Sequence, residues 1–364
     1  MDGYKAGNLN HWLRRYGRQF PHFLVLDHDS VVNSRTVTRG LRWLAAEGSA
    51  AFVQFAHLET SRGQTGFAKA LGASVRATWW VQSLRATYGL PTCFGHAVLF
   101  RTDVVNRLGG FPETLTEDIA MTLKLLRHGF LGRYDIAMPA AEMVPDTYAR
   151  FRARYLRWCI GTVQSWLHPD ARPVGSQLVS PLALDGMLQA LVLLYPIPVA
   201  LFGLGVALMA PSASGSAALR SPVIISTAWL SIVCPMVPVI AVAKGPWDAA
   251  RSAVTHALVY LSMIVPAAYA LAEQALFGRA VWLNTGNRLS QSIAWPTITT
   301  LVELVFAAWL LWCLPEAGIL VVPLIAGIVV SILFQAQTWI SLWAEPRAVR
   351  SARASGVLRL AAGG

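Results

Sequence analysis

Three short segments carry residue types whose spacing could do chemistry. The first is Asp27-His28-Asp29, which follows the apolar run Phe23-Leu24-Val25-Leu26. A buried strand ending there would deliver two carboxylates to its C-terminal end, where open α/β sheets keep their ligands. Asp27 and Asp29, two residues apart with a turn following, can converge on one hard cation. Mg²⁺ needs only one or two protein carboxylates, because the phosphate oxygens of a substrate complete its shell. The same two residues also read as ordinary turn formers that close a strand. The second segment is Thr116-Glu117-Asp118, ahead of a run from Ile119 to His128 that Gly129 stops. Thr116 reads as an N-cap, and the macrodipole favours acidic residues in a first helical turn, so structure alone accounts for Glu117 and Asp118. The third is Arg152-Ala153-Arg154-Tyr155-Leu156-Arg157-Trp158. Its guanidinium forks suit a diphosphate. A basic interfacial helix with Trp158 and Trp166 at headgroup level explains the same residues.

The elements that must position these groups are legible in part. Asn10–Gln19 reads as a helix, with Trp12, Leu13 and Tyr16 on one side and Arg14, Arg15 and Arg18 towards solvent. Phe23–Leu26 and Phe94–Phe100 read as strands, and Gly109-Gly110 as a turn. Helix, strand and acidic loop in succession make an α/β unit.

Composition divides the chain. Of its 364 residues, 55% are hydrophobic and 13% charged, against roughly 25% charged in globular domains. Residues before Pro181 hold 21 basic and 13 acidic side chains, and those from Pro181 onward hold 9 and 6. The first half thus has a soluble composition and the second a membrane-like one. A basic soluble half suits anionic lipid at the cytoplasmic face, or a phosphate-bearing substrate. No nucleic-acid motif accompanies the charge, so no nucleic-acid partner is expected. Cys93, Cys159, Cys234 and Cys313 are too scattered for a disulfide framework or a zinc site.

Five apolar stretches are long enough for a bilayer: 186–209, 221–243, 252–272, 296–314 and 317–344. Met1 is followed by Asp2 and Lys5 rather than by a basic stretch and an apolar core, so no export signal is expected and the soluble half is placed in the cytoplasm. Five spans would then leave the tail, with Arg347, Arg350, Arg353 and Arg359, outside, against the positive-inside rule. Four spans remove that conflict. The segment 252–272, flanked by Lys244, Asp248, Arg251, Glu273 and Arg279, is the one to lie flat as an interfacial helix; a fifth span is the other reading. Glu303, within a span, reads either as part of a polar pathway or as a carboxylate bonded to a neighbouring helix.

In order over residues 4–167, Lys5-Ala6-Gly7-Asn8-Leu9-Asn10, Asp27-His28-Asp29, Thr92-Cys93-Phe94-Gly95-His96, Thr116-Glu117-Asp118 and Arg154-Tyr155-Leu156-Arg157-Trp158 resemble the processive membrane type of family 2 glycosyltransferases. That type includes the bacterial cellulose synthase catalytic subunit and its glucan-synthase relatives. The resemblance implies a partial GT-A-like α/β domain over 1–170, an all-α transmembrane bundle over 171–345 and a basic cytoplasmic tail over 346–364, in the bacterial inner membrane. It implies an inverting hexosyltransferase that moves sugar from a nucleotide-diphosphate sugar, UDP-glucose above all, to a growing β-glycan and exports the product. Asp27 and Asp29 would hold Mg²⁺ or Mn²⁺ on the diphosphate, and Asp118 would be the general base. A helix start would lower its pKa, and nearby acidic charge would oppose that. Arg157 would touch the pyrophosphate and Trp158 the acceptor sugar. Lys5 would lie near the nucleotide, Glu117 would bind substrate beside the base, and Cys93 and Gly95 would border the acceptor terminus. Trp282–Arg288 resembles a gating loop.

The sequence departs from that family's pattern in several places. Arg154 replaces the motif's Gln, and Ser30 and His96 stand where cellulose synthases often carry His and Ser. These changes point away from cellulose itself. The match begins partway into the catalytic fold, so the first strands and the uracil pocket are expected from a longer reading frame or from another polypeptide. Two alternatives follow: an inactive partner subunit lacking the nucleotide-binding half, and a single-addition transferase acting on a lipid acceptor.

Overall fold

The computed structural model describes residues 4–27, 30–59, 66–142, 144–172, 193–277 and 294–344. Its first half is built on a four-stranded sheet of β1 (His22–Val25), β2 (Ala50–Glu59), β3 (Val98–Arg101) and β4 (Leu131–Glu142), in the order β1-β3-β2-β4. β3 runs antiparallel to both β1 and β2, and β2 pairs with β4 in parallel. β2 is central, and its residues from Ala50 to His57 are buried. A strand covered on both faces reads as a near-continuous apolar run, as Ala50-Ala51-Phe52-Val53 does.

Helices α1 (Tyr4–Tyr16), α2 (Ser34–Ala46), α3 (Gly66–Ala86), α4 (Thr102–Arg107), α5 (Glu117–Arg127) and α6 (Tyr148–Leu167) surround the sheet. The core under α1 and α5 holds Leu13, Phe23, Phe52, Phe100, Phe111 and Leu125. Phe23 stacks on Phe100 at 5.3 Å, and Phe111 meets Phe100 edge-on at 5.4 Å, arrangements that add to what burial alone contributes.

The second half is helical: α7 (Pro196–Met209), α8 (Ala213–Leu219), α9 (Pro222–Val233), α10 (Val237–Ala241), α11 (Pro246–Leu261), α12 (Ile264–Phe277), α13 (Ala294–Ala317) and α14 (Val322–Ala344). Among the described residues, three helical stretches are long and apolar enough to cross a membrane: Pro222–Ala241, Pro246–Leu276 and Ile298–Leu320. Pro196–Met209 and Val322–Ala336 are shorter apolar helices. Val223, Val305 and Trp312 are 73%, 68% and 66% exposed on this bundle. Water would penalise so much open apolar surface, whereas hydrocarbon does not.

Several local expectations need correction. α1 starts at Tyr4 rather than Asn10 and gives way to a 3-10 turn over Gly17–Gln19. Gly7 and two asparagines are weak helix formers, and packing of Ala6 and Leu13 overrides that weakness. β1 ends at Val25, leaving Leu26 43% exposed. The run Phe94–Phe100 is a strand only from Val98, because Gly95 (φ 73°) and Ala97 (φ 46°) turn the backbone into the left-handed region. Thr116 occupies the N-cap position but caps nothing, and its hydroxyl lies 3.0 Å from Ser165 Oγ on α6. The 252–272 segment falls on two consecutive helices, α11 and α12. His28, Asp29, Trp282–Arg288 and the 346–364 tail lie outside the described residues.

Candidate active site

Lys5 is the hub of the site. From the first turn of α1 its ammonium donates to Asp27 Oδ1 at 2.7 Å and to the Gly95 carbonyl at 2.7 Å, and lies 3.8 Å from Glu117 Oε1. Three segments distant in sequence therefore converge on one cation: the end of β1, the Thr92–His96 loop and the start of α5. Gly95 explains the tightness. A Cβ built there would sit 3.1 Å from both Cβ and Oδ2 of Asp118 and 3.2 Å from Glu117 Oε1, on a backbone already at positive φ. Only glycine meets both conditions without strain.

The carboxylates differ in setting. The Asp27 side chain is 41% exposed, whereas that of Glu117 is 6% exposed. Asp118 is half-buried, and its Oδ1 accepts from the Ile119 amide at 2.8 Å. Burial alone would raise Asp27, but Lys5, His96 and Arg154 outweigh it and hold the carboxyl below its ordinary range. Burial and the neighbouring Asp118 push Glu117 up to about 8. Burial also raises Asp118, outweighing the Ile119 amide and the charges of Lys5 and Arg157. This corrects the expectation that the helix start would lower the Asp118 pKa. Burial would lower Lys5, but Glu117, Asp27 and Asp118 together hold its ammonium above the usual lysine range.

α6 brings the basic side. Burial and then Arg154 disfavour the Arg157 charge, while Asp118, Glu117 and Asp27 favour it. The Arg154 guanidinium lies over the Trp158 ring, 4.7 Å from its centroid, a cation–π contact. Trp158 is half-buried against the apolar cluster of Leu71, Leu115 and Tyr155. Cys93 is fully buried among core residues and its thiol is raised well above its ordinary range by burial, so its side chain does not line the open site.

The surroundings of Asp27 decide whether it can hold a metal. Its Oδ1 is taken by Lys5, and its Oδ2 lies 3.9 Å from His96 Nδ1 on a half-open side chain. One accessible carboxylate oxygen fits a cation that a substrate diphosphate also binds. Among the described residues no group of three His, Cys, Asp or Glu forms a closed metal site.

The sequence profile of Glycosyl transferase family group 2 matches residues 22–344. The chain belongs to that family. This family group 2 member is also similar to proteins named glucans biosynthesis glucosyltransferase H. It is 25% identical over 175 residues to that of Cereibacter sphaeroides, covering 44% of this chain and 29% of the relative. It is 26% identical over 182 residues to that of Caulobacter vibrioides, with 44% and 26% covered. It is 28% identical over 180 residues to that of Shewanella oneidensis, with 44% and 24% covered. The chain therefore spans 24–29% of the length of these relatives. Among solved structures it is similar to a mannosyltransferase of Pyrobaculum calidifontis in complex with GDP-Man and Mn²⁺, at 18% identity and TM-score 0.40, covering 76% of this chain and 67% of the other. The family's GT-A-like α/β sheet precedes apolar helices of membrane-spanning length, as the resemblance implied.

Four supporting residues of this family group 2 glycosyltransferase escaped the sequence reading. Gln54, buried in β2, clamps the Thr92–His96 loop: its Oε1 accepts from the Phe94 amide at 2.8 Å and its Nε2 donates to the His96 carbonyl at 3.0 Å. A lone amide in an apolar strand was the available signal. Gln164 Oε1 accepts from the Leu115 amide at 3.0 Å, and Ser165 Oγ donates to the Thr116 carbonyl at 3.2 Å. Gly161 lets α6 press on Thr116, where a Cβ would meet Thr116 Cγ2 at 2.5 Å and its amide nitrogen at 2.8 Å.

Glu117 gives a pH prediction. Its folded pKa lies above the unfolded value, so its contribution to stability is full below the ordinary carboxylate range. That contribution is lost as pH rises through about 8. Thermal melts between pH 5 and 9 should show wild type losing stability across that window. Glu117→Gln should flatten the slope; an unchanged slope would show that the side chain is ionised in the fold.

Proposed function

We propose that this chain is the catalytic and membrane part of an inverting hexosyltransferase, which moves glucose from UDP-glucose to a growing β-glycan at the cytosolic face of a bacterial inner membrane and exports the product through its helical bundle. One observation carries the reading: Lys5 gathers Asp27, Gly95 and Glu117 within 3.8 Å, and Gly95 packs directly on Asp118. The similarity to proteins named glucans biosynthesis glucosyltransferase supports the glucosyl group and the glucan product. The 346–364 tail is cytoplasmic in this proposal, and four spans satisfy its charge.

The roles follow from the surroundings. Asp118 takes the proton of the acceptor hydroxyl as that oxygen attacks the anomeric carbon. Its raised pKa makes it a better base than a solvated aspartate. Glu117, neutral below about 8, leaves that neighbourhood with one negative charge rather than two. Lys5 and Arg157 supply positive charge where the leaving diphosphate gathers negative charge. Asp27, with Asp29 expected beside it, would hold Mg²⁺ or Mn²⁺, which when bound neutralises charge on the leaving group. Trp158 offers a ring to the acceptor sugar, beside the Arg154 guanidinium.

The test uses membranes from the native host, so that any further segment or partner polypeptide is present. Radiolabelled UDP-glucose should enter a polymer resistant to α-glucosidase. Chelation should abolish incorporation, and added Mg²⁺ or Mn²⁺ should restore it. Incorporation of a single sugar into lipid would replace the processive reading with single addition. No incorporation from any nucleotide sugar would favour an inactive partner subunit.

A further inference from the structure

α6 has two working faces. Arg154, Arg157, Trp158, Gly161 and Ser165 share one stripe at helical spacing, and that stripe meets the Asp118 segment. Tyr148, Arg152, Tyr155 and Cys159 form the other, turned to the apolar bundle. Tyr155 Oη and Cys159 Sγ both reach the Leu193 carbonyl, at 2.9 Å and 3.1 Å.

The first turns of that second stripe enter a buried polar network. Glu303 of α13 has no exposed surface, and both its oxygens accept: Oε1 from Ser331 Oγ and Oε2 from Gln335 Nε2, each at 2.6 Å. Ser331 and Gln335 lie on α14. Tyr148 Oη donates to Ser262 Oγ at 2.8 Å and to Ser331 Oγ at 3.4 Å. Arg152 donates to Thr299 Oγ1 at 3.0 Å; burial lowers its pKa, and Tyr148 and Glu303 only partly oppose that. Thr300 donates to Gln335 Oε1 at 3.0 Å. Seven of these side chains, Tyr148, Arg152, Ser262, Thr299, Glu303, Ser331 and Gln335, are at most 7% exposed. A buried carboxylate and a buried guanidinium are each costly to desolvate, and buried polar groups are best attested where they fix one register.

From this arrangement we infer that Glu303 is a positioning residue for the transfer reaction. Through Arg152 and Tyr148 it sets the rotation and height of α6, and so where Arg157 and Trp158 stand relative to Asp118. The inference rests on the function proposed above. α6 is fixed at both ends: Gln164 and Ser165 hold its C-terminal half to the catalytic segment, and the Glu303 network holds its N-terminal half to the bundle. With the second attachment cut, the helix pivots about Gly161.

The test has two arms. In the first, transfer from radiolabelled UDP-glucose is measured per folded molecule for Glu303→Gln, Arg152→Met and the pair together. Each single change should lower turnover about tenfold. The double variant should be no worse than the weaker single one, because both cut the same attachment. In the second arm, Trp158→Cys in a Cys234→Ser background is labelled with a water-soluble maleimide in detergent. Labelling should be at least fivefold faster when Glu303→Gln or Arg152→Met is added. Ser331→Ala, a milder cut, serves if Glu303→Gln does not accumulate. Unchanged labelling rates, or single losses that multiply in the double variant, would overturn the inference. If wild type transfers nothing from UDP-glucose, the proposed function fails, and faster labelling would still establish the attachment.

Discussion

Asp118→Asn is expected to lower polymer formation by about 10²–10⁴-fold, the usual contribution of a positioned general base. The amide keeps the shape of the side chain, and its oxygen still accepts from the Ile119 amide. What it loses is the ability to take a proton. The same change should not destabilise the domain. Asp118 is one of the causes that push Glu117 up, so removing its charge relieves Glu117. Thermal stability at pH 8 should therefore equal or exceed that of wild type while incorporation of labelled sugar disappears. A variant that melts early and loses activity in proportion would instead mark Asp118 as a structural first-turn residue, the reading that its sequence position also allows.

Gly161→Val should produce the second large effect, by a different route. Even the first carbon of any side chain would sit 2.5 Å from Thr116 Cγ2 and 2.8 Å from the Thr116 amide nitrogen, and the backbone cannot turn away as a flexible side chain would. α6 must retreat from α5. The bonds from Gln164 and Ser165 to Leu115 and Thr116 lengthen with it, and Arg157 moves away from the carboxylates. Overpacking of this kind costs about 1–3 kcal/mol, enough to lower the melting temperature. The activity loss should exceed the stability loss, because an error of about 1 Å in a catalytic constellation can cost about a hundredfold. Equal activity per folded molecule would show that the α5–α6 contact does not set the geometry of the site.

Much of this site could be read from residue order. Asp27, Glu117, Asp118 and Arg157 each carried a local signal, and the strand-then-acid and cap-then-acid patterns located their elements to within a few residues. What residue order could not supply was convergence. Nothing in the spacing of Lys5 says that it will bond Asp27 and the Gly95 carbonyl across 22 and 90 residues of sequence. Thr116 shows why local rules mislead at such a place. Its type and position mark an N-cap, yet its hydroxyl turns to Ser165, because holding two helices together outweighs one local bond. The true extent of α1 was hidden by weak helix formers that packing overrides. Cys93 was placed at the site by its neighbours in the motif, but its thiol is buried in the core. The Glu303 network was visible only as one charge in an apolar stretch, and its partners lie on three other elements.

The most direct test of the central claim is a structure of the chain with UDP and Mn²⁺, read by the anomalous signal of the metal. A manganese peak is expected bonded to the Asp27 carboxylate, with the diphosphate between it and Arg157 and with Asp118 facing the open acceptor side. A nucleotide bound elsewhere, or a metal peak that leaves Asp27 paired only with Lys5, would contradict it.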